Sequence, residues 1–294
     1  MIFALRLFIR CGKQKTFLVS LVLYTMEKGE LKMMILTVFV LGFCFSYRNL
    51  LLNKIGVGGL IVTTVLVAIS VAFHEFAHRE LAHRYGTEIE FKTWNSLLFG
   101  ALAIAIVTDG LFVFAALWVI IITPVPLLRP RHKYPHVGPW ESAKIVAAGP
   151  MANFALALVA AIITFRTGSA LWNQLMIMNF WIAGMNLIPF FRFVPLILMG
   201  QGGTWLRIGS KIWAHTKNPY MEGEMIFFGS RMFGMFLLML VSVTALIVLI
   251  LHKVFLGLFV GLLFGIGIWL FMEYYIEPGA QQSVPERLKI WKKL

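Results

Sequence analysis

The sequence predicts an all-α polytopic membrane protein, and three observations support this fold class. Of the 294 residues, 60% are hydrophobic and only 13% are charged, and the mean hydropathy is +0.83. Soluble domains carry roughly 25% charged residues, so a chain this apolar is expected in a bilayer. Long apolar runs recur along the whole chain, and basic residues stand between them. We therefore expect about six to seven membrane segments, roughly the number of these runs, in one transmembrane domain.

Three parts follow one another along the chain. Residues 1–32 are predicted to form a basic, amphipathic N-terminal segment, residues 33–276 the transmembrane domain, and residues 277–294 a basic tail on the cytoplasmic side. Within the first part, Phe17–Met26 resembles the apolar region of a signal peptide. Because no small-residue cleavage site follows it, we expect it to lie on the membrane surface or to insert partly.

Seven apolar runs make up the predicted transmembrane domain. Most approach the roughly 20 residues that a helix needs to cross about 30 Å of hydrocarbon. The runs are Met33–Tyr47, Gly56–Phe73, Leu97–Thr123, Ala143–Phe165, Ala170–Phe191, Met225–Leu251 and Val254–Tyr274.

The run Leu97–Thr123 is predicted to be re-entrant or broken. It is interrupted at Asp109-Gly110, and Asp109 is the single aspartate of the chain. A full crossing would separate the basic cluster at 129–133 from the basic residues at 79–92, whereas a turn at Asp109 keeps both on one side, as the positive-inside rule prefers. The turn has a second consequence: it brings Asn186 to the same side of the membrane as His74.

The net charge of +13 does not indicate a nucleic-acid partner, because the basic residues do not form a stripe with interleaved aromatic side chains. We expect them to contact anionic lipid of the bilayer, with the basic loops on the cytoplasmic side of the cell membrane. The two cysteines, Cys11 and Cys44, show no metal-binding spacing, so a metal would be held by histidine and carboxylate. The oligomeric state is left open.

The sequence His74-Glu75-Phe76-Ala77-His78 is the strongest functional signal. Residues four apart share one face of a helix, so the two imidazoles can bind one Zn²⁺, and Glu75 is placed to act as a general base on a water. Such a pattern also arises by chance, but ionisable residues beside a membrane-grade run mark function by default. His83 lies about 180° around the helix from His74, so we expect a surface position for it.

Two further motifs follow in order. Ala148-Gly149-Pro150 precedes Asn153 within one apolar run, and Asn186-Leu187-Ile188-Pro189 closes the next. Together with His74–His78, they resemble the site-2 protease family of intramembrane zinc metalloproteases, peptidase family M50, in its archaeal and bacterial form. The resemblance covers about residues 65–213.

This resemblance implies a function for the chain. It implies that His74 and His78 bind zinc, that Glu75 is the general base, and that the enzyme hydrolyses peptide bonds in or near transmembrane helices of membrane-protein substrates. Asn153 and Asn186 match family positions that we expect to bind substrate. An interhelical hydrogen bond is an equally good interpretation of Asn153.

The third zinc ligand departs from the family pattern. The family has an Asp-Gly pair shortly after N-x-x-P, and Ile208 stands in the expected aspartate position when Arg207–Lys211 is aligned with that segment. Substitutes without motif support are Asp109, Glu141, His215, Glu222 and Glu224, with Gln201 a poorer, neutral ligand. The interpretation therefore stays open between an active metalloendopeptidase, a pseudoprotease that binds membrane helices without cutting them, and, as a minor alternative, a transporter that uses the histidines as a cation site.

Overall fold

A computed structural model describes residues 28–52, 56–93, 95–115, 118–124, 137–189 and 222–273 of the chain. These ranges contain eight helices and one two-stranded sheet. In chain order the elements are α1 (Lys28–Leu51), α2 (Val57–Arg84), β1 (Thr87–Thr93), α3 (Asn95–Val107), β2 (Trp118–Pro124), α4 (Pro139–Thr167), α5 (Ala170–Leu187), α6 (Glu222–Gly229), α7 (Arg231–Leu251) and α8 (Val254–Phe271).

Five of these helices, α1, α2, α4, α7 and α8, are long and apolar enough to cross a membrane. Their outward surfaces carry large exposed apolar side chains, such as Val57 and Phe255, which are 74% and 82% exposed. An apolar surface of this extent favours lipid over water. The predicted fold class, an all-α polytopic membrane protein, is confirmed. Helix α1 begins at Lys28, within the predicted N-terminal segment, and the tail 277–294 lies outside the described residues.

The run Leu97–Thr123 is broken at the predicted place. Helix α3 ends at Val107, and Asp109 and Gly110 both adopt positive φ angles, 51° and 68°. The chain then returns as β2, which pairs antiparallel with β1 so that Thr87 faces Pro124. The returning half is a strand, which we did not predict. Its run of β-branched residues from Val119 to Ile122 is typical of strands.

Helices α2, α4 and α5 form the centre of the described fold. Helices α2 and α5 run in the same direction, because Thr63 bonds Gln174 (2.7 Å) and, further along both helices, Ser70 bonds Asn179 (2.8 Å). Helix α4 runs in the opposite direction, because His78 meets Ile145 and the earlier His74 meets the later Asn153. The end of α5 that carries Asn186 therefore lies on the side of His74, which is the consequence predicted from a turn at Asp109-Gly110.

The run Met225–Leu251 is two helices and not the single segment that its hydropathy predicts. The break falls at Ser230, whose hydroxyl accepts a hydrogen bond from the backbone N–H of Phe233 (3.2 Å) and caps α7. A serine cap satisfies one of the free N–H groups at a helix start, so a new helix can begin inside an apolar run. The separate helix α6 begins at Glu222, before the apolar run, and packs against α4 and α5.

Candidate metal centre

Three buried side chains from two helices meet at one point. His74 and His78 lie four residues apart on α2, and Glu222 comes from the first residue of α6. The Nε2 atoms of the two histidines are 3.0 Å apart, and Oε1 of Glu222 lies 2.9 Å from His74 Nε2 and 3.4 Å from His78 Nε2. All three residues are at most 2% exposed. The fold thus brings two imidazoles and one carboxylate together where solvent does not reach them.

The geometry of this cluster fits a zinc ion. Zinc binds histidine nitrogen and carboxylate oxygen at about 2.0–2.2 Å, so two donors of a tetrahedral site stand about 3.3 Å apart. The observed donor separations, 2.9 to 3.4 Å, are close to that spacing. The second carboxylate oxygen of Glu222, Oε2, is buried and has no hydrogen-bond partner among the described residues. Two histidines and one carboxylate form a donor set typical of catalytic zinc, whose fourth ligand is a water or the substrate.

Helix α4 approaches the cluster closely because residue 149 is glycine. A Cβ atom at Gly149 would lie 2.6 Å from His74 Nε2, 2.7 Å from His74 Cδ2, and nearer still to His78 Nε2. Real Cβ atoms do not make contacts shorter than 3.0 Å. The glycine of the Ala148-Gly149-Pro150 motif therefore leaves free the volume directly over the two nitrogen atoms, where an ion would sit.

Both imidazoles also contact α4 through their other nitrogen. Nδ1 of His78 lies 2.9 Å from the backbone carbonyl oxygen of Ile145, which can only accept a hydrogen bond. Nδ1 of His74 lies 3.2 Å from the side-chain amide of Asn153, which is fully buried. The predicted site residue Asn153 is thus placed against a histidine of the cluster. Its predicted contact with substrate stays a prediction.

Glu75 lies beside the cluster and is 1% exposed. The nearest cation is Arg79, whose Nε is 3.7 Å from Glu75 Oε2, beyond hydrogen-bond distance. The same guanidinium bonds Glu30 Oε1 through Nη2 at 2.6 Å and lies over the ring of Phe91, 5.3 Å from its centroid. Glu30 also accepts the backbone N–H of Phe91 (3.1 Å). Arg79 is thereby held between two carboxylates, and it bonds the one on α1.

The Glu222 carboxylate is held in its ionised form. Burial alone would raise the pKa of this group, but the adjacent His74 and His78 outweigh burial and lower the pKa to about 2. A metal ion requires an ionised carboxylate. The two histidines therefore favour the ionised form that a metal ligand needs.

Glu222 is a candidate for the third ligand that the sequence interpretation lacked. The expectation of a site one ligand short, based on Ile208, is not what the cluster shows. Ile208, Gln201 and His215 lie outside the described residues. Of the described substitutes, Asp109 occupies the exposed turn after α3, and Glu141 bonds the backbone N–H of Gly138 at the start of α4 (3.3 Å). Glu224 is buried on α6 but does not belong to the donor cluster.

A signal for Glu222 was present in the sequence. Glu222-Gly223 repeats the acid–glycine order that the family resemblance predicts, with glutamate in place of aspartate. A Cβ at Gly223 would lie 2.6 Å from the carbonyl oxygen of Ile188, just beyond α5. This contact places the Glu222 end of α6 beside the Asn186 end of α5.

Asn186 itself is 2% exposed, and its amide nitrogen has no hydrogen-bond partner among the described residues. A buried donor of this kind is available to a ligand. Its predicted role in substrate binding stays a prediction. His83 is exposed, as its position around the helix predicted.

Comparison with known proteins agrees with this site. The model of the family described as "Peptidase family M50" matches residues 62–174, a stretch that holds both histidines, Gly149 and Asn153. A protein of Methanocaldococcus jannaschii named "Putative zinc metalloprotease MJ0611" is 28% identical over 172 residues, which cover 57% of this chain and 81% of the relative. No solved structure matches the chain. Zinc is the cofactor that the family and this relative's name imply, and the His74, His78 and Glu222 donors fit it.

Proposed function

Since the chain belongs to peptidase family M50, we propose that it is an intramembrane zinc metalloprotease that hydrolyses peptide bonds in or near transmembrane helices of other membrane proteins. The coarser function, a metalloprotease in a multi-pass membrane protein, follows from the family and from the apolar helices. The proposal adds two points: cleavage takes place within the membrane or at its edge, and the substrates are other membrane proteins.

The observation that carries the proposal is the depth of the donor cluster. His74 lies ten residues before the end of the membrane-spanning helix α2, which is about 15 Å along the helix axis. Helix α2 has 28 residues and is therefore about 42 Å long, about 12 Å more than a hydrocarbon core of about 30 Å, so His74 lies inside the core or at its edge even if the whole excess protrudes at this end. A substrate bond that reaches this cluster has to be inside the membrane or at its edge, and transmembrane helices place peptide bonds there.

Zinc held by His74, His78 and Glu222 would supply Lewis-acid polarisation of the scissile carbonyl and would make a water more acidic. The chain's own contribution is proton transfer and positioning. Glu75 takes the proton that the attacking water loses and passes it to the nitrogen of the departing amine. Arg79 bonds Glu30 and lies 3.7 Å from Glu75 Oε2, which has no hydrogen-bond partner among the described residues; this supports a Glu75 carboxylate that is available as a base.

Substrate binding would involve the backbone of a locally unwound helix, because an intact helix hides its peptide carbonyls in internal hydrogen bonds. Asn186 supports this proposal, since its buried amide nitrogen has no hydrogen-bond partner among the described residues. The partners we propose are therefore membrane-protein helices and the lipid bilayer. Basic residues at the end of α2, such as Arg79 and Arg84, support a cell-membrane orientation with that end on the cytoplasmic side.

The decisive experiment uses the full chain purified in detergent and reconstituted in lipid nanodiscs. Zinc content is measured, and cleavage is followed on a panel of single-span proteins that carry helix-breaking residues at different depths. We expect about one zinc per chain, as catalytic sites of this type hold. We also expect cleavage by the wild type, and Glu75→Gln should retain zinc without cutting. Equal cleavage by Glu75→Gln, or a wild type that binds no zinc, would contradict the proposal.

The pseudoprotease alternative depended on the absence of a third ligand. The structure provides a carboxylate, Glu222, in contact with both histidines. This candidate ligand weighs against the alternative, and the same experiment tests it directly: zinc bound at one per chain with no cleavage of any panel member would favour it.

A further inference from the structure

Three residues on one face of α4 lie alongside the two histidines of α2. Ile145, Gly149 and Asn153 are spaced four residues apart, so they lie along one side of the helix. Ile145 meets His78, Asn153 meets His74, and Gly149 lies between them over both Nε2 atoms. The pairing is antiparallel, as the opposite directions of α2 and α4 require. Ile145 and Asn153 thus contact the Nδ1 atoms, which face away from the cluster. Gly149 has no side chain at the Nε2 atoms, which face the cluster.

The protonation state of each imidazole follows from the cluster. A histidine binds a metal through a nitrogen that carries no proton, so binding through Nε2 requires the proton to be on Nδ1. His78 meets this condition, because its Nδ1–H can donate to the Ile145 carbonyl at 2.9 Å. At the corresponding place on His74, the side-chain amide of Asn153 lies 3.2 Å from Nδ1.

The Asn153 side chain can provide an acceptor for the His74 Nδ1–H if its amide group is rotated by 180°. As placed, its nitrogen lies 3.2 Å from His74 Nδ1, while its oxygen is buried with no hydrogen-bond partner among the described residues. The nitrogen and oxygen of an amide side chain exchange places by a 180° rotation and are assigned from the surrounding hydrogen bonds. The rotation puts the oxygen at His74 Nδ1, where it can accept. It also moves the amide nitrogen to the buried position that the oxygen held.

We propose that Asn153 is a positioning residue whose side-chain oxygen accepts the Nδ1–H of His74 and so holds its Nε2 toward the metal. The inference rests on the proposed zinc site and deepens it, because it assigns each histidine its own acceptor on α4. It also separates Asn153 from an ordinary interhelical hydrogen bond. Such a bond would stabilise the fold but would not set the metal affinity, whereas partners of this kind typically change metal affinity by about 10–100-fold.

The test compares two buried asparagines of similar environment. Asn179 on α5 is fully buried, and its side-chain amide donates to Ser70 Oγ and to the Leu175 carbonyl, neither of which belongs to a histidine. Asn153→Leu and Asn179→Leu are prepared in the full chain, and zinc affinity is measured by competition with a chromogenic chelator. Thermal unfolding of the metal-free proteins is measured in parallel. Asn153→Asp, which keeps an oxygen acceptor in both orientations of the side chain, is the conservative variant.

We expect Asn153→Leu to weaken zinc binding by about 10–100-fold, while Asn179→Leu keeps the wild-type affinity and loses only thermal stability. Asn153→Asp is expected to retain zinc binding. With Co²⁺ in place of zinc, the visible spectrum of Asn153→Leu should differ from the wild type, since the His74 ring is no longer fixed. Wild-type affinity in Asn153→Leu, or equal loss in Asn153→Asp and Asn153→Leu, would overturn the proposal. A wild type that binds zinc without cleaving substrates would refute the proposed function and leave this inference standing.

Discussion

The contact between α4 and the cluster makes Gly149→Ala a sharp perturbation. The added methyl would lie 2.6 Å from His74 Nε2 and 2.7 Å from His74 Cδ2, whereas ordinary van der Waals contact begins at 3.4 Å. The methyl and the His74 ring therefore have to separate by at least about 0.8 Å, and the requirement at His78 is greater. Either α4 retreats or the imidazoles rotate away.

Both responses disrupt the metal centre. Metal–ligand distances are maintained within about 0.2 Å in a working site, so a shift of about 0.8 Å exceeds the tolerance severalfold. The methyl also occupies the space over the two Nε2 atoms that an ion needs. We expect Gly149→Ala to lose more than about 100-fold in zinc affinity, beyond the upper end of what outer partners of a metal site cost.

The control is Gly184→Ala in the interior of α5. A Cβ there meets nothing within 4 Å, so the substitution changes helix propensity alone. Alanine stabilises a helix interior by roughly 0.5–1 kcal/mol relative to glycine. We therefore expect Gly184→Ala to bind zinc like the wild type and to unfold at an equal or higher temperature.

The assay is zinc competition with a chromogenic chelator on the detergent-purified chain, with circular dichroism to show that the helices are retained. A Gly149→Ala protein that is helical and binds zinc as tightly as the wild type would refute the reasoning. It would mean that α4 does not approach the histidines closely, or that the metal binds somewhere other than this cluster.

Two further predictions concern the carboxylates. Glu222→Gln removes the anionic ligand and is expected to weaken zinc binding by more than about 100-fold, whereas Glu222→Asp keeps the charge on a shorter side chain and should bind zinc with intermediate affinity in the same competition assay. Equal binding by Glu222→Gln and the wild type would exclude Glu222 as a ligand. Glu30→Leu leaves the Arg79 guanidinium and the Phe91 N–H without their shared acceptor, so we expect a loss of about 3 kcal/mol in thermal or denaturant unfolding. Glu80→Leu, which breaks an exposed pair on the same helix, should cost no more than about 1 kcal/mol. Similar losses of unfolding free energy in these two variants would show that the contacts of Glu30 do not stabilise the packing of α1 beside the site.

The membrane helices were predictable because their signal is local. Apolar length predicts a span, and the positive-inside rule together with Asp109-Gly110 predicted the turn that the structure shows. The strand after that turn was not predicted, since an apolar stretch without alternation does not distinguish a buried strand from a helix. The break at Ser230 was missed for a related reason. One serine changes the mean hydropathy of the run very little, yet its hydroxyl caps a new helix.

Helix geometry alone predicted only those members of the candidate site that lie on one helix. His74 and His78 are four residues apart, so helix geometry alone brings them together. Glu222 lies 148 residues from His74 and joins it only through the packing of α6 on α4 and α5. The partner of Asn153 was beyond sequence reasoning too, because the antiparallel alignment of α2 and α4 decides which residue faces His74 Nδ1.

The sequence distance from Asn186 to the acidic ligand is weakly constrained by physics, whereas the glycine after the candidate ligand Glu222 is strongly constrained. Glu222 lies 36 positions after Asn186 in the sequence. The length of a connection between two helices can vary widely in general, because each doubling of a loop costs only about 0.6 kcal/mol in closure entropy. The residue type at position 223 is much more constrained than this length. A side chain there would press against the Ile188 carbonyl and the Leu187 backbone at 2.6 and 3.0 Å, and backbone cannot swing aside as a side chain does. An acid followed by glycine after the α5 segment is therefore a better marker of the third ligand than either the identity of the acid or its distance along the chain, and this marker favours Glu222 as the candidate ligand.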